Sequence, residues 1–423
     1  MKKWMKIMLV SIPVFFTGLL SAQQRFPKPE FETGYVQPSP TIPGPRGMEM
    51  EYLDVFVLFL VLSVASWLVI KSRSRRGILW LSIFSLLYFG FYRSGCVCSV
   101  GAVQNVALTL FNPGYAIPFS VLLFFLLPLI FALFFGRTFC AAACPLGAIQ
   151  DLLVVKPISA PRWANKLLGF IPYLYLGIAV LYASTATDFF ICRYDPFVGI
   201  FRMDAPFQMI VLGVSFLIIG LFFARPYCRV LCPYGVLLNW MSRFSKWHIS
   251  ITPAECVQCK LCSSSCPFDA IEKPTKKGVE IDSAKNLKRF IVYALLLPLL
   301  IVGGGFIGAK SHIFLSKAHP DVYLAELLIA RPELKEDPGN LDVQTFYSSG
   351  KPLRQLVEEA TQIRQKFYAG GMVLGGFIGL VLGMFLLNQV IFRKRMDYEP
   401  DKGNCFSCGR CMDYCPVGRK MIK

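Results

Sequence analysis

The chain contains 423 residues, 55% of them hydrophobic, and its mean hydropathy is +0.52. This composition excludes an ordinary soluble domain and indicates a membrane protein. The net charge of +18 would suit a nucleic-acid partner, but the basic residues crowd alternate loops. That alternation is the positive-inside bias of membrane proteins, so we predict contact with lipid and none with nucleic acid.

The first 22 residues predict a secretory signal peptide. Lys2, Lys3 and Lys6 precede an apolar stretch that ends in the small residues Ser21 and Ala22. An uncleaved membrane anchor is the alternative, and it would give the same topology. Residues 23–50 are rich in proline and predict an extended extracytoplasmic linker.

Seven apolar segments approach the roughly 20 residues with which a helix crosses a bilayer. The first five belong to a membrane domain over residues 51–247, and the last two lie within residues 289–392, on either side of an extracytoplasmic insertion at 310–369. We therefore predict an all-α polytopic protein of the cytoplasmic (inner) membrane with about seven transmembrane helices. The segments are residues 53–70, 78–92, 117–135, 167–183, 209–223, 291–307 and 370–392.

The sequence Cys-x2-Cys-x2-Cys-x3-Cys-Pro occurs twice, and it is the spacing by which bacterial ferredoxins hold cubane iron–sulfur clusters. In two-cluster ferredoxins the fourth cysteine of each run ligates the other cluster. We therefore predict two 4Fe–4S clusters. The first would be held by Cys256, Cys259, Cys262 and Cys415, and the second by Cys405, Cys408, Cys411 and Cys266.

The two runs are expected to form one small α+β ferredoxin-like module on the cytoplasmic face. Residues 248–288 would supply its first half and residues 393–423 its second half. The two predicted spans between the halves carry the chain out and back, so that both halves reach the same face.

A second repeat lies within the membrane domain. The sequence from Phe135 to Gly147 recurs 88 positions later, and each copy contains Cys-x3-Cys-Pro after a predicted helical hairpin. Two similar hairpins would bring four thiols together near the inner face, where they could hold a further iron–sulfur centre. Paired reduced thiols that only pack there are the alternative. The cysteines are Cys140, Cys144, Cys228 and Cys232.

Cys96, Cys98 and Cys192 fall in loops predicted to face outward. They could form a metal or cluster site together with Asp195, which would bring electrons closer to an extracytoplasmic partner. Alternatively, Cys98 and Cys192 could form a structural disulfide, which would leave one thiol unpaired.

Two further features leave alternatives open. Residues 352–367 predict an amphipathic helix that packs on the membrane bundle or offers a docking surface to a partner. His248 could accept a proton from a quinol or could lie at the membrane interface without a chemical role.

The paired Cys-x3-Cys-Pro hairpins followed by ferredoxin runs resemble the membrane iron–sulfur proteins of the NosR/NapH family. The resemblance covers roughly residues 79–266 and the tail from Cys405. It implies electron transfer between the quinone pool and extracytoplasmic redox subunits or maturation pathways. The chain departs from the family in the wide separation of its ferredoxin runs. Its linker and insertion show no flavinylation motif, so a flavin would have to come from a partner flavoprotein.

The sequence thus predicts a relay of electrons between the quinone pool or a cytoplasmic donor and an extracytoplasmic redox partner. A redox sensor or maturation factor for an extracytoplasmic metalloenzyme is the alternative, and thiol–disulfide exchange through Cys98 or Cys192 is a third. The sequence predicts no catalytic residue, and membership of a quinol dehydrogenase or oxidoreductase complex stays open.

Overall fold

The computed structural model describes residues 47–95, 98–155, 157–158, 161–203, 205–251, 256–275, 283–331, 340–390 and 395–417. The predicted signal peptide, most of the linker and Cys96 lie outside these residues.

The described residues form nineteen α-helices and two short strands. The membrane domain contains α1 Met48–Trp67, α2 Arg75–Ser85, α3 Ser99–Phe111, α4 Phe119–Phe135, α5 Pro145–Leu152, α6 Arg162–Leu168, α7 Ile171–Ser184, α8 Phe190–Tyr194, α9 Pro196–Arg202, α10 Phe207–Gly220, α11 Pro226–Val230 and α12 Pro233–Arg243. The remainder contains α13 Leu261–Ser265, β1 Ile271–Glu272, α14 Ser283–Lys310, α15 His312–Ser316, α16 Pro320–Ala330, α17 Leu341–Ser348, α18 Leu353–Val390, β2 Glu399–Pro400 and α19 Arg410–Tyr414. π-Helical segments follow α1, α2 and α4 at Leu68–Ser72, Leu86–Tyr92 and Phe139–Ala143.

Within the described part of the chain, three helical stretches are long and apolar enough to cross a membrane: Met48–Ser72, Asn286–Lys310 and Leu353–Val390. Helices α9 and α10 meet at 108° and add a fourth if they count as one broken span. Helices α3, α4 and α7 are apolar but shorter. The helical membrane fold is therefore confirmed, whereas the number of seven spans stays a prediction.

A buried polar contact joins α1 to the π-helical segment after α2. Asp54 of α1 is fully buried, forms an ion pair with Arg93 at 2.8 Å and accepts a hydrogen bond from the Tyr88 hydroxyl at 2.8 Å. Because an ionised carboxylate is costly in an apolar interior, these two partners fix how the segments pack.

Helix α18 combines two features that the sequence presents separately. The predicted amphipathic helix at 352–367 and the last predicted span form one continuous helix of 38 residues. Its first half buries Leu356 and Ala360 against Val322 of α16 and Phe346 of α17. Further along, Phe367 packs on Leu181 of α7, so this helix packs first on the insertion helices and then on the membrane domain.

Small residues allow α14 and α18 to cross in close contact. A Cβ atom added at Gly308 would overlap the carbonyl oxygen of Gly371, and one at Gly304 would overlap that of Gly375. Backbones approach this closely only where glycine faces glycine, which is a common way to pair helices in membranes.

The two ferredoxin halves meet. Strands β1 and β2 pair in antiparallel register, with Ile271 opposite Pro400 and Glu272 opposite Glu399. Ile249, Cys262 and Met412 share a buried cluster with Val69 and Ile78 from the membrane domain. This packing attaches the split module to the ends of α1 and α2.

Candidate metal centres

Both ferredoxin runs adopt the same local backbone. Left-handed residues occupy corresponding places, with φ of 52° at Gln258 and 65° at Lys260 in the first run, and 53° at Ser407 and 76° at Gly409 in the second. Left-handed turns of this kind can form concave nests of backbone N–H groups, which suit an anionic cluster. In the second run the Ser407 backbone N–H donates to Cys405 Sγ at 3.4 Å.

One cavity is lined by the four cysteines that the sequence assigns to the second cluster. Phe268 and Phe406 contribute apolar walls to this cavity. A mainly apolar cavity with four convergent thiols fits a cubane cluster, whose irons are held by cysteine thiolates. The cysteines are Cys266, Cys405, Cys408 and Cys411.

The four cysteines assigned to the first cluster also lie together. Cys262 is within electrostatic reach of Cys256, Cys259 and Cys415, and burial raises the pKa of its thiol. Burial likewise raises the pKa of Cys405 to about 12. Because bound metal requires thiolates, cluster binding would have to displace these protons.

The Cys-x3-Cys-Pro motifs converge inside the membrane domain. Cys140, Cys144 and Cys228 are buried and Cys232 is partly buried, and Cys144 lies within electrostatic reach of the other three. Cys144 and Cys232 have extended backbones, and the proline that follows each occupies the first turn of α5 or α12. Extended backbone is the preferred state before proline, and proline is well suited to start a helix.

Polar contacts cross between the two motif copies. The Arg225 guanidinium of the second copy donates to the Cys140 carbonyl of the first. Gln150 of the first copy donates to Cys228 Sγ at 3.6 Å and accepts from the Tyr227 backbone N–H at 3.1 Å. The two hairpins therefore hold each other in place around the four thiols.

Arg137 and Arg225 lie between these membrane thiols and the second ferredoxin cavity. Arg137 donates to Cys140 Sγ at 3.8 Å and to the Gly403 carbonyl at 3.3 Å, and its guanidinium lies 4.1 Å from the centre of the Phe406 ring. Arg225 lies 5.6 Å from the same ring and 5.7 Å from that of Phe268. Our reading of the sequence missed both arginines, although each stands three residues before the first cysteine of its motif copy.

Asp151 forms ion pairs with three arginines beneath the ferredoxin module. It forms ion pairs with Arg75 at 2.6 Å, Arg410 at 3.2 Å and Arg225 at 3.4 Å. Burial opposes its ionisation, but Arg225, Arg75 and Arg410 together hold the pKa of Asp151 well below its usual value. Arg75 also donates to the Cys408 carbonyl at 2.9 Å, so this network attaches the second ferredoxin run to the membrane domain.

Cys98 and Cys192 come together beside α3, and neither forms a disulfide. Cys98 also lines a cavity with Cys144, Phe139 and Leu146. Cys98 thus adjoins one of the Cys-x3-Cys-Pro motifs, and the outward orientation of its loop stays a prediction. Helices α3 and α8, which the sequence predicts as loop, bring the two cysteines together, with Cys98 partly buried and Cys192 exposed.

Among the described residues, no three His, Cys, Asp or Glu side chains are close enough to ligate one metal ion directly. A cubane receives its thiolates on separate irons, so its ligand sulfurs lie further apart than those around a single ion.

His248 lies half-buried beside Gly136 and contacts the Ser245 hydroxyl at 3.3 Å. Burial, and to a lesser extent Lys402, lowers the pKa of His248 to about 4. A neutral imidazole at pH 7 is a weak proton acceptor, which favours the interfacial interpretation.

Two families, each described as a 4Fe-4S binding domain, match the chain: one over residues 117–170 and 205–252, the other over residues 249–272. Three curated relatives illustrate the similarity. YccM of Escherichia coli, named for electron transport, is 28% identical over 33% of this chain and 43% of its own. Protein NirI of Paracoccus denitrificans is 32% identical over 33% of this chain and 22% of its own. Regulatory protein NosR of Pseudomonas aeruginosa is 27% identical over 48% of this chain and 30% of its own.

The chain spans less than half the length of each of these three relatives. No solved structure matches the chain.

Proposed function

We propose that this relative of the NosR/NirI-like 4Fe–4S electron-transfer proteins relays electrons between the quinone pool or a cytoplasmic donor and an extracytoplasmic redox partner. The observation that carries the proposal is the cavity in which Cys266 from one ferredoxin run meets Cys405, Cys408 and Cys411 from the other. Such sharing of ligands is typical of two-cluster ferredoxins. Bound clusters would supply one-electron transfer at these sites.

The residues around the two ferredoxin sites suggest an order. Cys259, Val257 and Leu261 are exposed, so the first site lies at the surface of the module, where a soluble donor could reach it. The second site faces inward, with Phe406 against Arg137. Electrons would enter or leave the protein at the first site. They would be exchanged with the membrane domain at the second site.

Cys140, Cys144, Cys228 and Cys232 are proposed to hold a further 4Fe–4S centre. The family that matches residues 117–170 and 205–252 is described as 4Fe–4S binding, and these two ranges contain all four cysteines. Their convergence around Arg225 and Gln150 supports the same assignment.

We also propose the number of membrane spans and their orientation. The seven apolar segments predict seven spans of the inner membrane, and the positive-inside bias predicts a cytoplasmic ferredoxin module. The proposed partners are quinone, other membrane or extracytoplasmic redox subunits, and a flavoprotein.

Iron and acid-labile sulfide counts with EPR of the purified full chain test the proposal. Two cubanes require about eight irons per chain, and about ten or more requires a further centre. Cys266→Ser should remove or alter one cubane signal, whereas Cys140→Ser should lower the iron count without changing the ferredoxin signals. Iron-free protein that remains folded would overturn the relay, and a full count of about eight would overturn the membrane centre.

A second candidate function is redox sensing or maturation of an extracytoplasmic metalloenzyme. NosR of Pseudomonas aeruginosa is named as a regulatory protein, which favours this candidate. Steady turnover of a quinol analogue by the purified protein supports the relay. Clusters that are reducible but show no turnover support the sensor.

A further inference from the structure

Cys98 and Cys192 approach one another over Gly101, in the first turn of α3. A Cβ atom built on Gly101 would lie 2.9 Å from Cys192 Sγ and 3.9 Å from Cys98 Sγ. Any other residue at position 101 would therefore crowd Cys192 Sγ, while Cys98 Sγ lies at an ordinary contact distance. The two cysteines come from different halves of the membrane-domain repeat and meet only in the fold.

Hydrogen bonds hold this pair in position. Cys98 begins α3 and accepts from the Gly101 backbone N–H at 3.3 Å. The Gln104 side-chain oxygen accepts from the backbone N–H groups of Ile191 (3.1 Å) and Cys192 (3.3 Å). Gln104 is fully buried, and its amide nitrogen has no hydrogen-bond partner among the described residues. A buried donor without a partner beside a thiol pair is unusual for a purely structural contact.

The same geometry disfavours a metal site that uses Asp195. One carboxylate oxygen of Asp195 accepts from the backbone N–H groups of Phe197 and Val198, and the other accepts from the Tyr227 hydroxyl at 2.9 Å. Both oxygens are thus engaged in capping α9 and holding Tyr227. The residue ranges that match the 4Fe–4S families include neither Cys98 nor Cys192.

We propose that Cys98 and Cys192 are a redox-active thiol pair that reduces a disulfide in a protein or small-molecule substrate. The proposal rests on the proposed function, because the iron–sulfur relay supplies the electrons. Cys192 is exposed and Cys98 is partly buried, so a substrate can reach Cys192 first, and Cys98 is placed to resolve the mixed disulfide.

Disulfide reduction at this pair requires two thiol–disulfide exchange steps. The Cys192 thiolate attacks the substrate disulfide, forms a mixed disulfide and releases one substrate thiol. Cys98 Sγ then attacks Cys192 Sγ, which forms the Cys98–Cys192 disulfide and releases the second substrate thiol. Two electrons, delivered one at a time by the iron–sulfur relay, and two protons from water regenerate both thiols. Cys98 shares a cavity with Cys144, so the pair adjoins the proposed membrane centre.

Thiol counting on the purified full chain tests whether the pair forms. After mild oxidation with diamide, denaturation and labelling with a polyethylene-glycol maleimide, the oxidised wild type should carry two fewer adducts than the dithiothreitol-reduced form. Peptide mass spectrometry should identify the Cys98–Cys192 crosslink. Gly101→Ala should suppress the crosslink severalfold, whereas Gly114→Ala, where nothing lies within 4 Å of an added Cβ, should not.

Iron content and electron supply separate the remaining outcomes. Cys98→Ser should abolish the crosslink and leave the iron count unchanged; a lower iron count would mean that Cys98 is a cluster ligand and would overturn the proposal. Reduced methyl viologen should reopen the crosslink in the wild type. In Cys140→Ser, reduced methyl viologen should reduce the crosslink at least tenfold more slowly than in the wild type. Dithiothreitol should reduce it at the same rate in both proteins. Equal rates with viologen would overturn the link to the relay, and wild type that never forms the crosslink would overturn the pair itself.

Discussion

At the scale of single residues, Arg137 and Arg225 are placed to control the redox centres. Both are buried, with 4% and 0% of their surface exposed, and both lie between the membrane thiols and Phe406. Nearby positive charge stabilises the more negative, reduced state of an iron–sulfur centre. Charge and hydrogen bonds to sulfur are two of the means by which a protein sets cluster potentials.

We expect Arg137→Gln to lower the midpoint potential of the adjacent centres. At an effective dielectric constant of about 20, a unit charge about 8 Å away contributes about 2 kcal/mol, which corresponds to a shift of up to about 90 mV for one electron. Arg137→Lys should recover most of the shift. The measurement is a redox titration followed by EPR, with Arg243→Gln, at an exposed residue, as the control. Equal shifts in both variants would contradict the assignment.

His248 should make attachment of the C-terminal ferredoxin half sensitive to acid. Its pKa is about 4 in the folded protein, because burial and then Lys402 oppose its charge while Asp401 favours it, against about 6.5 in an unfolded chain. Between these values the unfolded state binds the additional proton, so stability present above about pH 6.5 is lost as the pH falls to about 4. Protease protection of the tail measured against pH should show this loss. His248→Gln should flatten the profile, and an unchanged profile would exclude His248.

At the scale of structural elements, the molecule depends on two long-range contacts. Asp151 in α5 joins Arg75 of α2, Arg225 and Arg410 of α19, and thereby attaches the second ferredoxin run to the membrane domain. Helices α14 and α18 meet through glycines, which connects the two halves of the split module across its intervening spans.

Asp151→Asn should release the C-terminal run. The substitution leaves three guanidinium groups without their buried counter-ion, and breaking a buried pair in this way typically costs about 3–5 kcal/mol. Faster proteolysis of the tail and loss of the second cubane EPR signal would report the change. Asp188→Asn, which removes a partly exposed pair with Arg193, should cost at most about 1 kcal/mol. Comparable losses in the two variants would contradict the role of Asp151.

Gly308→Ala should separate α14 from α18, because its Cβ atom would overlap the Gly371 carbonyl oxygen. Gly303→Ala is a matched control in the same helix, since nothing lies within 4 Å of a Cβ atom there. Thermal unfolding in detergent, followed by cysteine accessibility, should show a lower midpoint for Gly308→Ala only. If Gly308→Ala unfolds like the wild type, the close glycine contact does not hold the helices together.

At the scale of the whole molecule, the proposed function requires both ferredoxin halves on one side of the membrane. The pairing of β1 with β2 and the shared cavity support that requirement. The insertion helices α16 and α17 lie between the two long helices α14 and α18 in sequence, so they should face the opposite side.

Vesicle labelling tests this topology. An impermeant amine reagent should modify Lys260 and Lys402 from the same side of sealed vesicles, and Lys317 and Lys351 from the other side; all four are exposed. Peptide mass spectrometry of inverted and right-side-out vesicles provides the measurement. Modification of Lys260 and Lys402 from opposite sides would rule out a joint module and with it the relay.

The cysteine spacings by themselves predict iron–sulfur chemistry for this protein. Cluster ligation by Cys-x2-Cys-x2-Cys depends on residues that are neighbours along the chain. The apolar segments and the internal repeat are also defined by neighbouring residues, so the sequence alone reveals all three. The confirmed family resemblance rests on them. The bounds of α18 and the helices within the presumed loops were missed, because helix length and burial depend on packing partners.

Only the tertiary structure decided which distant residues meet. Three contacts join segments that lie far apart in sequence. They are the packing of Arg137 and Arg225 on Phe406, the ion pairs of Asp151, and the approach of Cys98 to Cys192. Buried charges and thiols acquire their roles from neighbours that no spacing reveals, because the free energy of a buried group depends on its surroundings in space. The sequence therefore specifies the ligands, and the fold specifies what lies between them.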